Sequence, residues 1–215
     1  GLRYSGYPNV HQTLGSCITI KSDHYCKFGG MNTKKAGEDF YFLNKIVRKP
    51  HFAEIHEALV YPSARISDRV PFGTGRALIG YQMHKEKLLC TYNPLIFENI
   101  KTFLTYLPQI IQGQSPNLPE AIKGFFSSIN FYQNLSKLLK NTNSLPSFYN
   151  QFYDWFDYFM VLKLIHFTRD HFHPNVPLEM GLCKLNENYW KIKGFKTLTL
   201  HDQLIKIRVL NRPVQ

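Results

Sequence analysis

Asn93-Pro94-Leu95-Ile96-Phe97-Glu98-Asn99-Ile100-Lys101-Thr102-Phe103-Leu104-Thr105-Tyr106-Leu107-Pro108 divides the chain into two kinds of sequence. Leu95, Ile96, Ile100, Phe103, Leu104 and Leu107 recur at helical spacing, Asn93-Pro94 opens the segment, and Pro108 with Gln112-Gly113-Gln114-Ser115-Pro116 closes it. The pattern repeats toward the C-terminus. Asn117 as N-cap, Pro119 in the first turn and Glu120 begin a second helix that carries Ile122, Phe125, Phe126, Ile129, Leu135, Leu138 and Leu139 toward Asn141. A third, starting near Ser144 or Ser147, holds Phe148, Phe152, Trp155, Phe156, Phe159, Leu162 and Ile165 on one broad face until Pro174. Asp154 and Asp157 read as solvent-facing acids on it. A last helix follows Thr199, with Asp202 completing a capping box.

Upstream of Asn93 the sequence is rich in Gly, Pro and β-branched residues, and Cys17–Ile20 and Leu59–Tyr61 read as short buried strands. The expected architecture is an α/β front part with a mixed sheet over residues 1–92, followed by a mainly α-helical part over 93–215.

Composition bounds the function. The 215 residues are 44% hydrophobic and 15% aromatic, enough for a packed core and unlike a disordered or collagen-like chain. The formal charge is +11, with Lys and Arg spread evenly over both halves and no basic tail, which favours anions in general without selecting phosphates, lipid headgroups or nucleic acid. Each apolar stretch is interrupted by charge before it reaches membrane-spanning length. Residues 1–10 do not form a secretory signal, and the first residue is not Met, so the chain reads as a piece of a longer protein. Cys17, Cys26, Cys90 and Cys183 show no C-x-x-C spacing and read as reduced, buried thiols rather than a disulfide frame or a zinc ribbon, which points to a cytoplasmic setting, with peripheral membrane contact left open.

The stretch with chemical content is Lys27-Phe28-Gly29-Gly30-Met31 followed by Ala36-Gly37-Glu38-Asp39-Phe40-Tyr41-Phe42-Leu43-Asn44-Lys45. Ala36, Phe40, Leu43 and Val47 share a helical face, and Glu38 and Asp39 occupy its first turn, where the positive end of the helix dipole stabilises carboxylates. Acids in a first turn are ordinary capping residues. Two of them facing a cleft can also take a proton from a hydroxyl nucleophile.

This pattern resembles the second half of the catalytic domain in family-two glycosyltransferases of the GT-A type, in which a Gly-Gly turn precedes a Gly-Glu-Asp helix start. Gly29-Gly30 and Gly37-Glu38-Asp39 match as they stand, and Gly15–Ile20 is similar to the strand that leads into the turn. The resemblance implies a sugar-transfer enzyme with Asp39 as general base and with Glu38, Gly29 and Gly30 as acceptor contacts. Tyr41 stands where the family often has a second Asp, and Lys45 where it has Arg. An Asp-x-Asp motif and the βαβ half that would carry it do not occur, so the resemblance implies that a divalent cation, Mn or Mg, belongs to an intact enzyme and that this part holds none alone. The partners implied are a nucleotide-sugar donor and a glycan or other hydroxyl acceptor.

Downstream, Arg65, Arg69 and Arg76 alternate with small residues in the loop from Val60 to Arg76. Such a loop can bind phosphates through guanidinium forks and backbone N–H groups, and the same arginines can instead pair with Glu38, Asp39 or Asp68 on the surface. The resemblance places Arg65, Arg69 and Arg76 near the donor diphosphate and Asp68 as a metal ligand. His166, Asp170 and His173 fall at i, i+4 and i+7, a spacing open to a metal, although histidines near a helix C-terminus are favoured by the dipole alone.

The reading from another class is a non-catalytic basic module that docks on nucleic acid or a membrane surface. The aromatic residues recur with Leu and Ile as core residues do, so nucleic acid is not the expected partner. An incomplete sheet would leave an edge strand near residues 15–20, from which self-association is expected.

Overall fold

The computed structural model describes residues 1–8, 10, 18–33, 37–47 and 89–210, together with 53, 55, 59–61, 66, 78–80 and 83. It divides into two compact units, one formed by Gly1–Pro8 with Cys90–Lys206 and the other by Asn9–Leu89 with Ile207–Gln215.

The first unit is helical. It contains α1 (Leu2–Ser5) and then, after residue 89, β1 (Cys90–Thr91), α4 (Pro94–Ile111), α5 (Glu120–Ser128), α6 (Phe131–Lys140), α7 (Leu145–Trp155), α8 (Tyr158–His171), β2 (Val176–Pro177), α9 (Leu178–Leu185), a π-helical turn (Asn186–Trp190), a 3-10 turn (Phe195–Thr197) and the start of α10 (Leu200–Leu210). The second unit holds α2 (Ser22–Lys27) and α3 (Glu38–Ile46).

The expected mixed sheet is corrected. Among the described residues the sheet is one antiparallel ladder of two strands, with Cys90 opposite Pro177 and Thr91 opposite Val176, and it lies in the helical unit. Ile18–Ile20 and Leu59–Tyr61 join no strand, and Leu59, Val60 and Tyr61 are solvent-exposed. Strand propensity describes fitness for a half-buried pleated surface, and among the described residues neither three-residue run has a neighbouring strand to complete one. The edge strand invoked for self-association is accordingly absent from residues 18–20, and residues 11–17 lie outside the described ones.

Local signals set several helix ends. The Asn93 side chain accepts from the Leu95 N–H at 3.1 Å, with Pro94 at the first position of α4. Pro108 does not end that helix. It lies in the last turn, and the chain continues far enough to bury Ile110 before Gly113, at φ 80°, closes it. There the N–H of Gln114 reaches Gln109 O at 3.0 Å and that of Gly113 reaches Ile110 O at 3.0 Å.

The two long apolar runs downstream are each broken once. Asn130 takes a left-handed conformation (φ 50°) between α5 and α6, and Asn134 Nδ2 donates to the freed Ile129 carbonyl at 3.1 Å. The N-cap of α5 is Pro119, while Asn117 accepts from Lys123 Nζ at 3.3 Å. Between α7 and α8 the Asp157 carboxylate accepts from the Met160 N–H at 3.0 Å and starts a new helix, so Asp157 is a cap rather than a surface acid; Asp154 is exposed.

These breaks build the core. The turn at Asn130 lays Phe131 flat on Phe126, with ring centroids 3.6 Å apart and planes within 3°. Phe103 of α4 meets both rings edge-on, at 5.0 and 5.7 Å, and Phe152 and Phe156 stack on each other at 5.6 Å beside it. Phe103, Phe131, Phe152 and Phe156 are all completely buried. Edge-to-face and stacked pairs of this kind add about 0.5–1.5 kcal/mol each beyond the burial of their area. The phenylalanines of this unit are thus largely core.

Candidate functional site

The sequence-predicted carboxylates lie in the second unit, on a helix pair whose first member is short. In α2, Asp23 accepts from the His24 N–H at 2.8 Å and contacts His24 Nδ1 at 3.1 Å, and these bonds hold its carboxyl below the usual carboxylate range.

The Gly29-Gly30 pair ends α2. The Gly30 N–H donates to Tyr25 O at 2.9 Å and the Gly29 N–H to Cys26 O at 3.0 Å, with φ +59° and +72°. This is the two-bond left-handed cap that glycine adopts without a Cβ penalty. Gly30 is also close-packed, since a Cβ there would fall 2.9 Å from the Tyr25 ring. That ring rests on Phe42 of α3 at 5.2 Å, and its hydroxyl accepts from the Met31 N–H at 3.0 Å. A helix, not a strand, therefore leads into the Gly-Gly turn.

Helix α3 begins where the sequence places it. Gly37 is its N-cap at φ 78°, Glu38 and Asp39 form the first turn, and both are half-buried. Asp39 Oδ1 accepts from the Phe40 N–H at 2.7 Å. Phe42 and Leu43 are the buried face of the helix. Lys45, in the last turn, donates from Nζ to Phe28 O at 3.3 Å, so its ammonium meets the carbonyl end of α2 and the Gly-Gly turn sits toward the Lys45 half of α3. Asp39 precedes Lys45 by about 9 Å along the axis, at roughly 1.5 Å per residue. Glu38 and Asp39 are thus brought together at one helix end and Gly29 and Gly30 lie toward the other.

Arg65, Asp68, Arg69 and Arg76 lie outside the described residues, and of their loop Val60, Tyr61 and Ile66 are described and exposed. Among the described residues no group of three His, Cys, Asp or Glu side chains is placed to hold a metal ion. His166, Asp170 and His173 are each taken by another partner. Asp170 receives both arms of the Arg169 fork, at 2.7 and 3.0 Å; His166 Nε2 is hydrogen-bonded to the Tyr92 hydroxyl at 2.9 Å; and His173 Nε2 meets Asn99 Nδ2 at 3.1 Å.

Burial pushes the His166 imidazole below its ordinary pKa, the Arg169 charge adds to this, and Asp170 opposes it. The Tyr92–His166 pair joins residues 74 apart. Sequence reasoning missed it, because neither a lone Tyr after a two-residue strand nor a His in an apolar helix signals the other.

No described helix is long and apolar enough to cross a membrane. A scan against protein-family models and searches of curated proteins and of solved structures find no match to this chain.

Proposed function

We propose that this chain supplies the acceptor side of an enzyme that transfers a sugar from a nucleotide-sugar donor to an acceptor hydroxyl, with Asp39 as general base. The observation that carries the reading is the start of α3, where left-handed Gly37 introduces Glu38 and Asp39 as a half-buried pair at the positive end of the helix. The Asp39 carboxylate takes the acceptor O–H proton while that oxygen bonds to the anomeric carbon and the bond to the nucleoside diphosphate breaks, the bonding pair leaving with the diphosphate. Glu38 holds the acceptor through its hydroxyls. Neither role requires a mixed sheet. Lys45, through Phe28 O, keeps the turn before α3 against the helix that carries the base.

The test is transfer from labelled nucleotide-sugars by the full-length enzyme containing this sequence. Asp39→Asn is expected to lower kcat by about 10²–10⁴-fold, the range for removal of a general base. Glu38→Gln is expected to act mainly on the acceptor KM. Transfer by Asp39→Asn at the wild-type rate would overturn the assignment.

A further inference from the structure

We propose that the open cleft between the loop after α4 and the exposed faces of α5 and α6 binds a neutral oligosaccharide. The cleft encloses about 480 Å³ and is lined by Pro116, Leu118 and Tyr132 on its apolar side and by Asn117, Lys123 and Ser127 on its polar side. Leu118 is 3% exposed and forms a floor, whereas Tyr132 is 57% exposed. The Tyr132 ring is nonetheless braced by T-shaped contacts, with planes at 89°, to both Phe126 and Phe131, at 5.9 and 5.4 Å, and those two rings are stacked and buried. An exposed aromatic surface held in one orientation loses little freedom when a ligand covers it.

Charge selects the ligand class. Lys123 is the cation of the lining, and its ammonium already donates to Glu120 Oε1 at 2.9 Å and to Asn117 Oδ1 at 3.3 Å. Its charge is balanced, which disfavours a phosphate or a carboxylate as the ligand; the Asn117 amide nitrogen remains as a donor, and the Ser127 hydroxyl, whose proton goes to Lys123 O at 3.1 Å, as an acceptor. A pyranose presents that complement, a C–H face for an aromatic ring and a rim of hydroxyls for amide and hydroxyl groups. The openness of the cleft suits a chain of sugars laid across it rather than a single enclosed ring. The inference stands apart from the sugar-transfer reading, since the cleft belongs to the helical unit and Asp39 to the other. Binding is measured without transfer, so the two fail separately.

The experiment is titration of the full chain with maltohexaose, cellohexaose and chitohexaose, each to about 10 mM, followed through the backbone amide resonances of Asn117, Lys123 and Ser127. At least one sugar is expected to shift all three saturably, and Tyr132→Ala is expected to weaken its Kd by about tenfold. Ser127→Gln, at an exposed helical position, extends a side chain into the cleft and should weaken binding with the Tm unchanged, which separates loss of the site from loss of the fold. Asp39→Asn should bind as wild type. No saturable shift with any of the three sugars, shifts indifferent to both cleft variants, or shifts produced by inorganic phosphate in place of the sugars would overturn the inference.

Discussion

The Tyr7 hydroxyl donates to the Phe156 carbonyl at 3.0 Å, joining residues 149 apart at the point where α7 gives way to α8. Phe156 has left helical geometry (ψ 58°), and both residues are buried, at 3% and 0% exposure. A carbonyl at a helix break has lost its helical donor, and here a side chain from the first residues of the chain replaces it. The Tyr7 ring also stands edge-on to Tyr153 at 5.9 Å.

Tyr7→Phe keeps the ring contacts and removes the donor. It is expected to lower unfolding stability by about 1–3 kcal/mol, the cost of leaving a buried acceptor unpaired. Urea unfolding of the two proteins, compared at equal m-values, measures this.

Asp154 and Asp157 read alike in the sequence, as surface acids of one helix, yet Asp157 is expected to be the more costly to replace. Its carboxylate starts α8, so Asp157→Ala should cost about 0.5–2 kcal/mol while Asp157→Asn, a comparable cap, keeps most of the stability. Equal losses in the two variants, read from thermal melts, would show that the side chain acts otherwise than as a cap.

What was legible in the sequence was local. Asn93 before Pro94 and Thr199 with Asp202, whose N–H donates to the Thr199 hydroxyl at 3.2 Å, do what their spacing predicts, and of the two serines open as the start of the third helix Ser144 is the cap, accepting from the Ser147 N–H at 3.3 Å, because each signal and its partner lie within one turn. The breaks at Asn130 and Phe156 were not legible, because the apolar period runs through both and the residues on either side serve the same core. Tyr7 and Tyr92 were hidden for the opposite reason, since their partners lie 149 and 74 residues away. The strands expected at Cys17–Ile20 and Leu59–Tyr61 rested on propensity, which a neighbouring strand must complete. At the candidate site, the helix start at Glu38 could be read from Gly37 and two acids, whereas the capping role of Gly29-Gly30 depended on a six-residue helix with few apolar residues to announce it.

Stability is expected to depend on pH through His166. Its folded pKa lies below the ordinary value of 6.5, so the unfolded chain binds a proton before the folded one does. The contribution is fully present above about 6.5 and is lost as pH falls through the lower, folded value. The Tm should therefore fall on acidification below neutrality, and His166→Gln should reduce that slope. An imidazole resonance titrating above 6.5 would reverse the sign and refute the argument.

Gly29 and Gly30 share a left-handed conformation but not a neighbourhood, and substitution separates the two costs. A methyl at Gly29 meets nothing within 4 Å, so Gly29→Ala incurs only the left-handed penalty, about 1–2 kcal/mol. A methyl at Gly30 meets that penalty and the Tyr25 ring at 2.9 Å, and moving the ring disturbs its contact with Phe42 and its bond to the Met31 N–H. Gly30→Ala should thus be the more destabilising, and hydrogen exchange at the Met31 and Phe42 amides should quicken in it more than in Gly29→Ala. D-alanine introduced by semisynthesis in place of Gly29 tolerates positive φ and should keep the cap intact. Wild-type exchange rates in that D-alanine variant would show that the left-handed backbone is what Gly29 supplies, whereas an opened cap would show that its lack of a side chain matters as well.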